Sequence, residues 1–101
     1  KKITKRYKKE FESFESISFV SQPKRCVSNY WLNNIKIKNL KISKRNRLLK
    51  KLNNNNFECR PVWNLLHKLP MFNQYPKSKL NVAKKLENEL ITLPSSPLYG
   101  K

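Results

Sequence analysis

The chain has 101 residues with 38% hydrophobic content, which is enough for one small domain with one modest core. Its formal net charge of +17 makes nucleic acid or an anionic surface a partner to test. The excess is mostly lysine spread along the chain, however, which is more typical of solvated faces than of an arginine-rich, aromatic binding surface.

The composition also bounds membrane and metal roles. No apolar run approaches the roughly 20 residues that span a bilayer. The start "KKITKRYKKE" has no apolar region behind it, so we do not expect a secretory signal. Two cysteines are too few for a disulfide framework, and one histidine offers no local zinc site. Free thiols in the cytoplasm are therefore the expectation.

The first half of the chain predicts a helix, two strands and a second helix. One apolar stripe with helical spacing runs from Lys2 to about Phe14. The β-prone "ISFV" follows, and then the alternating "NYWLNNIKIKNL" predicts a second strand. Ser43 is placed to cap a helix that runs to Leu52. The asparagine run after it predicts the helix end, because asparagine tolerates the left-handed conformation found there.

The second half predicts a strand, a short helical turn and a last helix. "FECRPVW" is the strand, although Pro61 limits its ladder, and "WNLLHKL" predicts one or two helical turns that end at Pro70. Ser78 is placed to cap "KLNVAKKLENELI", in which Val82 and Leu86 share one apolar face. The predicted fold class is therefore α+β, a small, mainly antiparallel sheet of about three strands with helices packed on one face.

Conventional catalytic arrangements are missing from the sequence. Cys59 and His67 are eight residues apart across a proline, so no nucleophile–base pair is indicated. Gly100 is the only glycine, which excludes a glycine-rich phosphate loop. The six acidic residues lie mostly beside lysines on helix faces, where we interpret them as solvated charges. By itself the chain is not predicted to be a complete enzyme.

The most unusual stretch is "FECRPVWNLLHKLP". It brings a guanidinium (Arg60), an indole (Trp63) and an imidazole (His67) close together in sequence. Such a group is suited to an anionic or sugar-bearing ligand, because arginine binds phosphate or carboxylate and an aromatic side chain stacks on a ring. The alternative is that Trp63 and Leu66 fill the core while Arg60 caps a helix, and residue types alone favour this structural interpretation.

Three stretches carry a resemblance to a known family. "SNYWLNNIKI", "ECRPVWNLLHKLPMF" and "LENELITLPSSPLYG" resemble, in the same order and at about the same spacing, the C-terminal part of sugar aminotransferases of the DegT/DnrJ/StrS group. The branch that acts on nucleotide-linked 4-keto-6-deoxy sugars, including the legionaminic-acid and perosamine pathway enzymes, is the most similar. The resemblance covers nearly the whole chain.

The resemblance implies that residues 1–101 are the small C-terminal domain of a fold type I enzyme that depends on pyridoxal phosphate. A large domain upstream would hold the cofactor, and the full-length enzyme would be a cytoplasmic homodimer that transfers an amino group from glutamate to the nucleotide sugar. No catalytic residue is assigned to this chain. The substrate-binding candidates are, in decreasing order, Arg60, His67, Trp63, Asn29 and Tyr30.

Two other function classes remain open on the sequence. One is a small basic nucleic-acid-binding module, which would bind DNA or RNA with a steep salt dependence. The other is a non-catalytic interaction domain that keeps the fold without the chemistry. Ser95 and Ser96 also have two interpretations: contacts with a ligand or a second subunit, or, as we favour, bonds to backbone groups in a turn.

Overall fold

A computed structural model, which describes residues 1–96, shows three α-helices and one antiparallel sheet of four strands. Among these residues, no helix has both the length and the apolar character needed to cross a membrane. The strands are β1 (Ile17–Phe19), β2 (Asn33–Ile37), β3 (Arg60–Pro61) and β4 (Leu90–Leu93). Their order across the sheet is β1-β2-β4-β3, so the last strand in the chain lies between the second and the third.

The helices are α1 (Lys2–Phe11), α2 (Ile42–Asn54) and α3 (Asn81–Glu89), and a single 3₁₀ turn spans Leu66–Lys68. The α+β class and the antiparallel sheet are thus confirmed. The sheet has one strand more than predicted, because the sequence "LITL" leaves the last helix and becomes β4. Its β-branched residues suit a strand, and pairing with both β2 and β3 gives its backbone more hydrogen bonds than a helix end would.

The strand register determines which side chains share a face. Ile35 of β2 is paired with Phe19 on one side and with Ile91 on the other, so these three side chains point the same way. Ile35 and Ile91 form the core with Leu49 of α2, Cys59 and Leu93. Phe19 and residues of α1, among them Tyr7, pack against it. The prediction that helices pack on one face of the sheet is confirmed for α1 and α2.

The core is small and remains open on one side. Only six hydrophobic side chains are buried among the described residues, Ile91 most completely, with no exposed surface. An apolar groove of about 550 Å³ lies between the two helices over the sheet. Its lining includes Tyr7, Phe11, Ile37, Leu48, Leu52 and Phe57. This domain therefore leaves substantial apolar surface without cover from its own residues.

Several predicted boundaries were wrong in detail. Helix α1 ends at Phe11 rather than near Phe14, and neither α2 nor α3 begins at the serine predicted to cap it. Lys41 and Leu80 precede these two helices, and neither makes a side-chain cap. The asparagine run behaves as predicted, because Asn56 has a φ of 65° just after α2. Val82, predicted to lie on a buried face of α3, is 73% exposed.

The two cysteines differ sharply in accessibility. Cys26 is exposed, whereas Cys59 is buried in the core, and burial raises the pKa of the Cys59 thiol. Since the thiolate is the reactive form, we expect iodoacetamide to modify Cys26 alone in the native chain and both thiols in guanidinium chloride. Mass spectrometry counts the adducts. Equal native rates at the two sites would contradict the burial of Cys59, and Cys26→Ser provides the control in which native labelling disappears.

Candidate functional site

The face of the sheet opposite the core carries a row of polar side chains. Register places Asn34 of β2, Thr92 of β4 and Arg60 of β3 side by side on it. The Thr92 hydroxyl donates a hydrogen bond of 2.7 Å to Oδ1 of Asn34. The guanidinium of Arg60 therefore stands beside a fixed hydrogen-bonded pair rather than at a helix end, where the structural interpretation had placed it.

Two tryptophans flank this row. A concavity of about 340 Å³, here called the indole concavity, is lined by the row and by Trp31, Leu32, Pro61, Val62 and Trp63. Trp31 is 66% exposed and Trp63 79% exposed, and they are the only tryptophans in the sequence. The prediction that Trp63 and Leu66 fill the core is wrong, since Leu66 is also 68% exposed. The structure brings Arg60 and Trp63 together on one surface, as the ligand interpretation requires.

His67 lies in a different concavity. It sits in the 3₁₀ turn and lines a depression of about 490 Å³, here called the histidine concavity, with Leu65, Leu66, Phe72, Tyr75, Ser78 and others. Its ring is half-buried, and Nδ1 is buried without a hydrogen-bond partner among the described residues. The histidine predicted to act with Arg60 thus faces its own surface depression, and only a short stretch of chain connects the two.

Asn29 and Tyr30 lie in the loop before β2. Oδ1 of Asn29 accepts a hydrogen bond of 3.0 Å from the backbone N–H of Trp31, and Tyr30 has a φ of 58°. Their backbone roles are therefore local: they shape the loop that presents Trp31 to the indole concavity. Trp31 was not among the predicted site residues. The alternation in "NYWLNN" gave no signal for it, because it placed Trp31 on the face of Ile35, opposite Asn34. Residues 30–32 precede the strand, and Trp31 and Leu32 both line the indole concavity.

Glu87 is a second residue that sequence reasoning missed. It was interpreted as a solvated charge, but it is 4% exposed, and its carboxylate accepts hydrogen bonds from Nζ of Lys68 (2.5 Å) and the N–H of Leu65 (3.4 Å). Burial works to raise the pKa of Glu87, but these hydrogen bonds and the charges of Lys68 and Arg45 outweigh it and lower that pKa. The carboxylate is therefore held ionised beside the segment that carries His67.

Glu89, two residues later, is also buried, with 1% exposure. Its Oε1 accepts a hydrogen bond of 2.8 Å from the N–H of Asn39, which turns the chain between β2 and α2 with a φ of 60°. Nζ of Lys36 lies 3.6 Å from Oε2. Glu89 thus stabilises a turn at the far end of β2, whereas Glu87 holds the candidate site.

Comparison with known proteins assigns the chain to a family. The model of the DegT/DnrJ/EryC1/StrS aminotransferase family matches residues 1–101, and the chain belongs to this family. A search of the curated proteins found no significant match.

A solved structure supports the fold. The aminotransferase TlmJ from Streptoalloteichus hindustanus matches 97% of this chain with a TM-score of 0.76 and 16% sequence identity. This chain spans only 27% of that protein's chain. The fold described above is thus that of one part of a considerably longer aminotransferase.

Proposed function

We propose that this chain is the C-terminal small domain of a pyridoxal-phosphate-dependent aminotransferase. The full-length enzyme would move an amino group from glutamate to a nucleotide-linked 4-keto-6-deoxy sugar, in the cytoplasm, for surface polysaccharide biosynthesis. The observation that carries the proposal is the family match over the whole chain, together with a fold that accounts for about a quarter of an aminotransferase. The sugar and its nucleotide rest on the resemblance of the three sequence stretches to that branch.

The cofactor does not fit within this chain. Pyridoxal phosphate requires a lysine in its pocket for covalent attachment, and no lysine among residues 1–96 is buried. The two buried carboxylates, Glu87 and Glu89, already bind groups of their own domain. We therefore derive no chemical step through the cofactor from these residues, and the proposal assigns its binding to a larger upstream domain.

In this proposal the role of this domain is to contact the substrate at the edge of a pocket that it shares with the upstream domain. Arg60 is exposed on the open sheet face, where a guanidinium can bind a phosphate or carboxylate through two parallel hydrogen bonds. The exposed indole of Trp63 beside it can stack on a sugar or base ring. His67 lines the histidine concavity, where its half-buried imidazole can contact a hydroxyl group. In this proposal Arg60 positions the charged group of the substrate, whereas His67 and Trp63 position its neutral part.

The apolar surface supports a domain built against a neighbour. Trp31, Trp63, Met71 and Phe72 are each at least 43% exposed, and the groove over the core adds further uncovered surface. An isolated small domain rarely exposes so much large apolar surface, which is normally covered at interfaces. A homodimer in which subunit and domain contacts cover these residues is part of the proposal.

The proposal is tested in the full-length protein that carries this chain. We expect Arg60→Ala to lower kcat/KM for the nucleotide sugar by about 10- to 100-fold, which is the effect of losing one hydrogen bond to a charged group. We expect His67→Ala to lower kcat/KM by at most the same factor. The absorbance of the bound cofactor should be unchanged in both, because its ligands lie elsewhere.

Arg47→Ala is the matched control, since Arg47 is an exposed arginine on α2 away from both concavities. It should leave kcat/KM at the wild-type value. Unchanged kinetics in both site variants would show that Arg60 and His67 have only a structural role. A full-length protein that binds no pyridoxal phosphate, or that transfers no amino group from glutamate, would contradict the function itself.

A further inference from the structure

One buried carboxylate is hydrogen-bonded to the segment that carries His67. Of the two oxygens of Glu87, one accepts from Nζ of Lys68 at 2.5 Å and the other from the N–H of Leu65 at 3.4 Å. The two donors stand on either side of His67 in the chain. A single side chain of α3 is therefore hydrogen-bonded to residues on both sides of His67.

Apolar contacts anchor this segment only in part. Leu66 is 68% exposed, whereas Leu65 and His67 are half-buried. The segment's backbone hydrogen bonds, Lys68 N–H to Leu65 C=O and Leu69 N–H to Leu66 C=O, lie within the segment. The bonds to Glu87 are the ones described that link the segment to the rest of the domain. The position of the histidine ring thus depends on them.

Glu87 is itself fixed from the opposite side. Nη1 of Arg45, a buried residue of α2, donates a hydrogen bond of 2.6 Å to the backbone carbonyl of Glu87. Nε and Nη2 of the same guanidinium also donate to Oδ1 of Asn46. Since α2 packs on the core, the contact of Arg45 with Glu87 connects the core to α3. The carboxylate of Glu87 in turn connects α3 to the segment that carries His67.

We propose that Glu87 is a positioning residue: its carboxylate holds Leu65 and Lys68 and thereby sets the imidazole of His67 in the histidine concavity. The importance of this position for catalysis rests on the proposed function, but the physical coupling between Glu87 and His67 does not. Glu87 touches no substrate in this proposal and acts only through the segment.

His67 is the only histidine in residues 1–101, and in the full-length protein its ring signals are identified as those that disappear in His67→Ala. In Glu87→Gln, the neutral amide keeps the shape of the side chain but has one acceptor oxygen instead of two, so one of the two hydrogen bonds is lost and the other is weakened. We expect both carbon-bound ring protons of His67 to shift. We also expect the Leu65 amide to exchange with solvent about tenfold faster or more, because its acceptor has lost its charge.

Glu89→Gln is the matched control, an equally buried acid two residues away that binds the N–H of Asn39 instead. It should speed exchange at Asn39 and leave the His67 signals in place. Unmoved ring signals in Glu87→Gln, or equal shifts in the two variants, would overturn the proposal. Amide signals of Ile35 and Ile91 report whether the core is intact in both.

Lys68→Gln removes the exposed ammonium group that donates to Glu87, and it keeps the proposal falsifiable if Glu87→Gln does not fold. It should move the His67 ring signals in the same direction, and unmoved signals would overturn the proposal. In the full-length enzyme, Glu87→Gln should raise KM for the sugar substrate more than it lowers kcat. Absence of aminotransferase activity in the wild type would contradict the proposed function and leave the NMR result standing.

Discussion

Ile91→Ala should lower the free energy of unfolding by about 2–5 kcal/mol, the range measured when large aliphatic core residues are truncated to alanine. Ile91 has no exposed surface and lies in β4, between β2 and β3, against the helices. A small domain has in total only about 5–15 kcal/mol of stability. With so few buried hydrophobic residues, the loss should remove most of the folded population.

Urea denaturation followed by circular dichroism measures this loss. Val82→Ala is the control, because Val82 is 73% exposed on α3, and it should change the stability by less than about 0.5 kcal/mol. A similar midpoint for the two variants would show that β4 is not the centre of the core. Ile91→Val, which removes one methylene, should fall between them at about 0.5–1.5 kcal/mol.

Asn33→Ala should cost about 2–4 kcal/mol, because it breaks two hydrogen bonds of a fully buried amide. Oδ1 of Asn33 accepts from the hydroxyl of Thr4 at 2.8 Å, and Nδ2 donates to the hydroxyl of Ser95 at 3.0 Å. The side chain thus joins the start of β2 to α1 and to the segment after β4. Its loss leaves the buried Thr4 hydroxyl without this acceptor.

The neighbouring Asn34→Ala provides the comparison. Asn34 lies on the open face, where its bond with Thr92 is half-exposed, and we expect a cost of about 1 kcal/mol or less. Combining Thr4→Val with Asn33→Ala should cost less than the sum of the two single changes, because both break the same bond. Strict additivity in denaturant titrations would contradict the buried contact between α1 and the sheet.

Ser95 shows which of two interpretations of the "LPSS" motif is correct for that residue. Its hydroxyl donates to the carbonyl of Leu93 at 3.1 Å and accepts from Asn33. The favoured structural interpretation is confirmed for Ser95: it satisfies groups of its own domain after β4. Residues 97–101, which complete the motif stretch "LPSSPLYG", lie outside the described residues.

The candidate site was only partly accessible to sequence reasoning. Arg60, Trp63 and His67 stood out because an arginine, one of the two tryptophans and the only histidine lie close together in a chain dominated by lysine, asparagine and leucine. Spacing placed them in one cluster, but the structure assigns them to two concavities, since β3 is short and the chain turns after it. Trp31 joins Arg60 only because β2 and β4 bring distant segments side by side.

Local patterns determined the elements that local forces dominate. The stripe of α1, the leucines of α2, the alternation in β2 and the turn-forming asparagines each predicted their element, because side-chain periodicity and backbone preference act over a few residues. The family resemblance likewise lay in the sequence, and the family match confirms it.

Tertiary structure alone decided the rest. "LITL" becomes an inner strand rather than the end of a helix because β2 and β3 pair with it on both edges. Glu87 and Glu89 are buried because Lys68, Arg45 and Asn39 approach them from other elements. A buried charge is tolerated only where partners converge on it, and that convergence depends on the folded chain rather than on sequence neighbours.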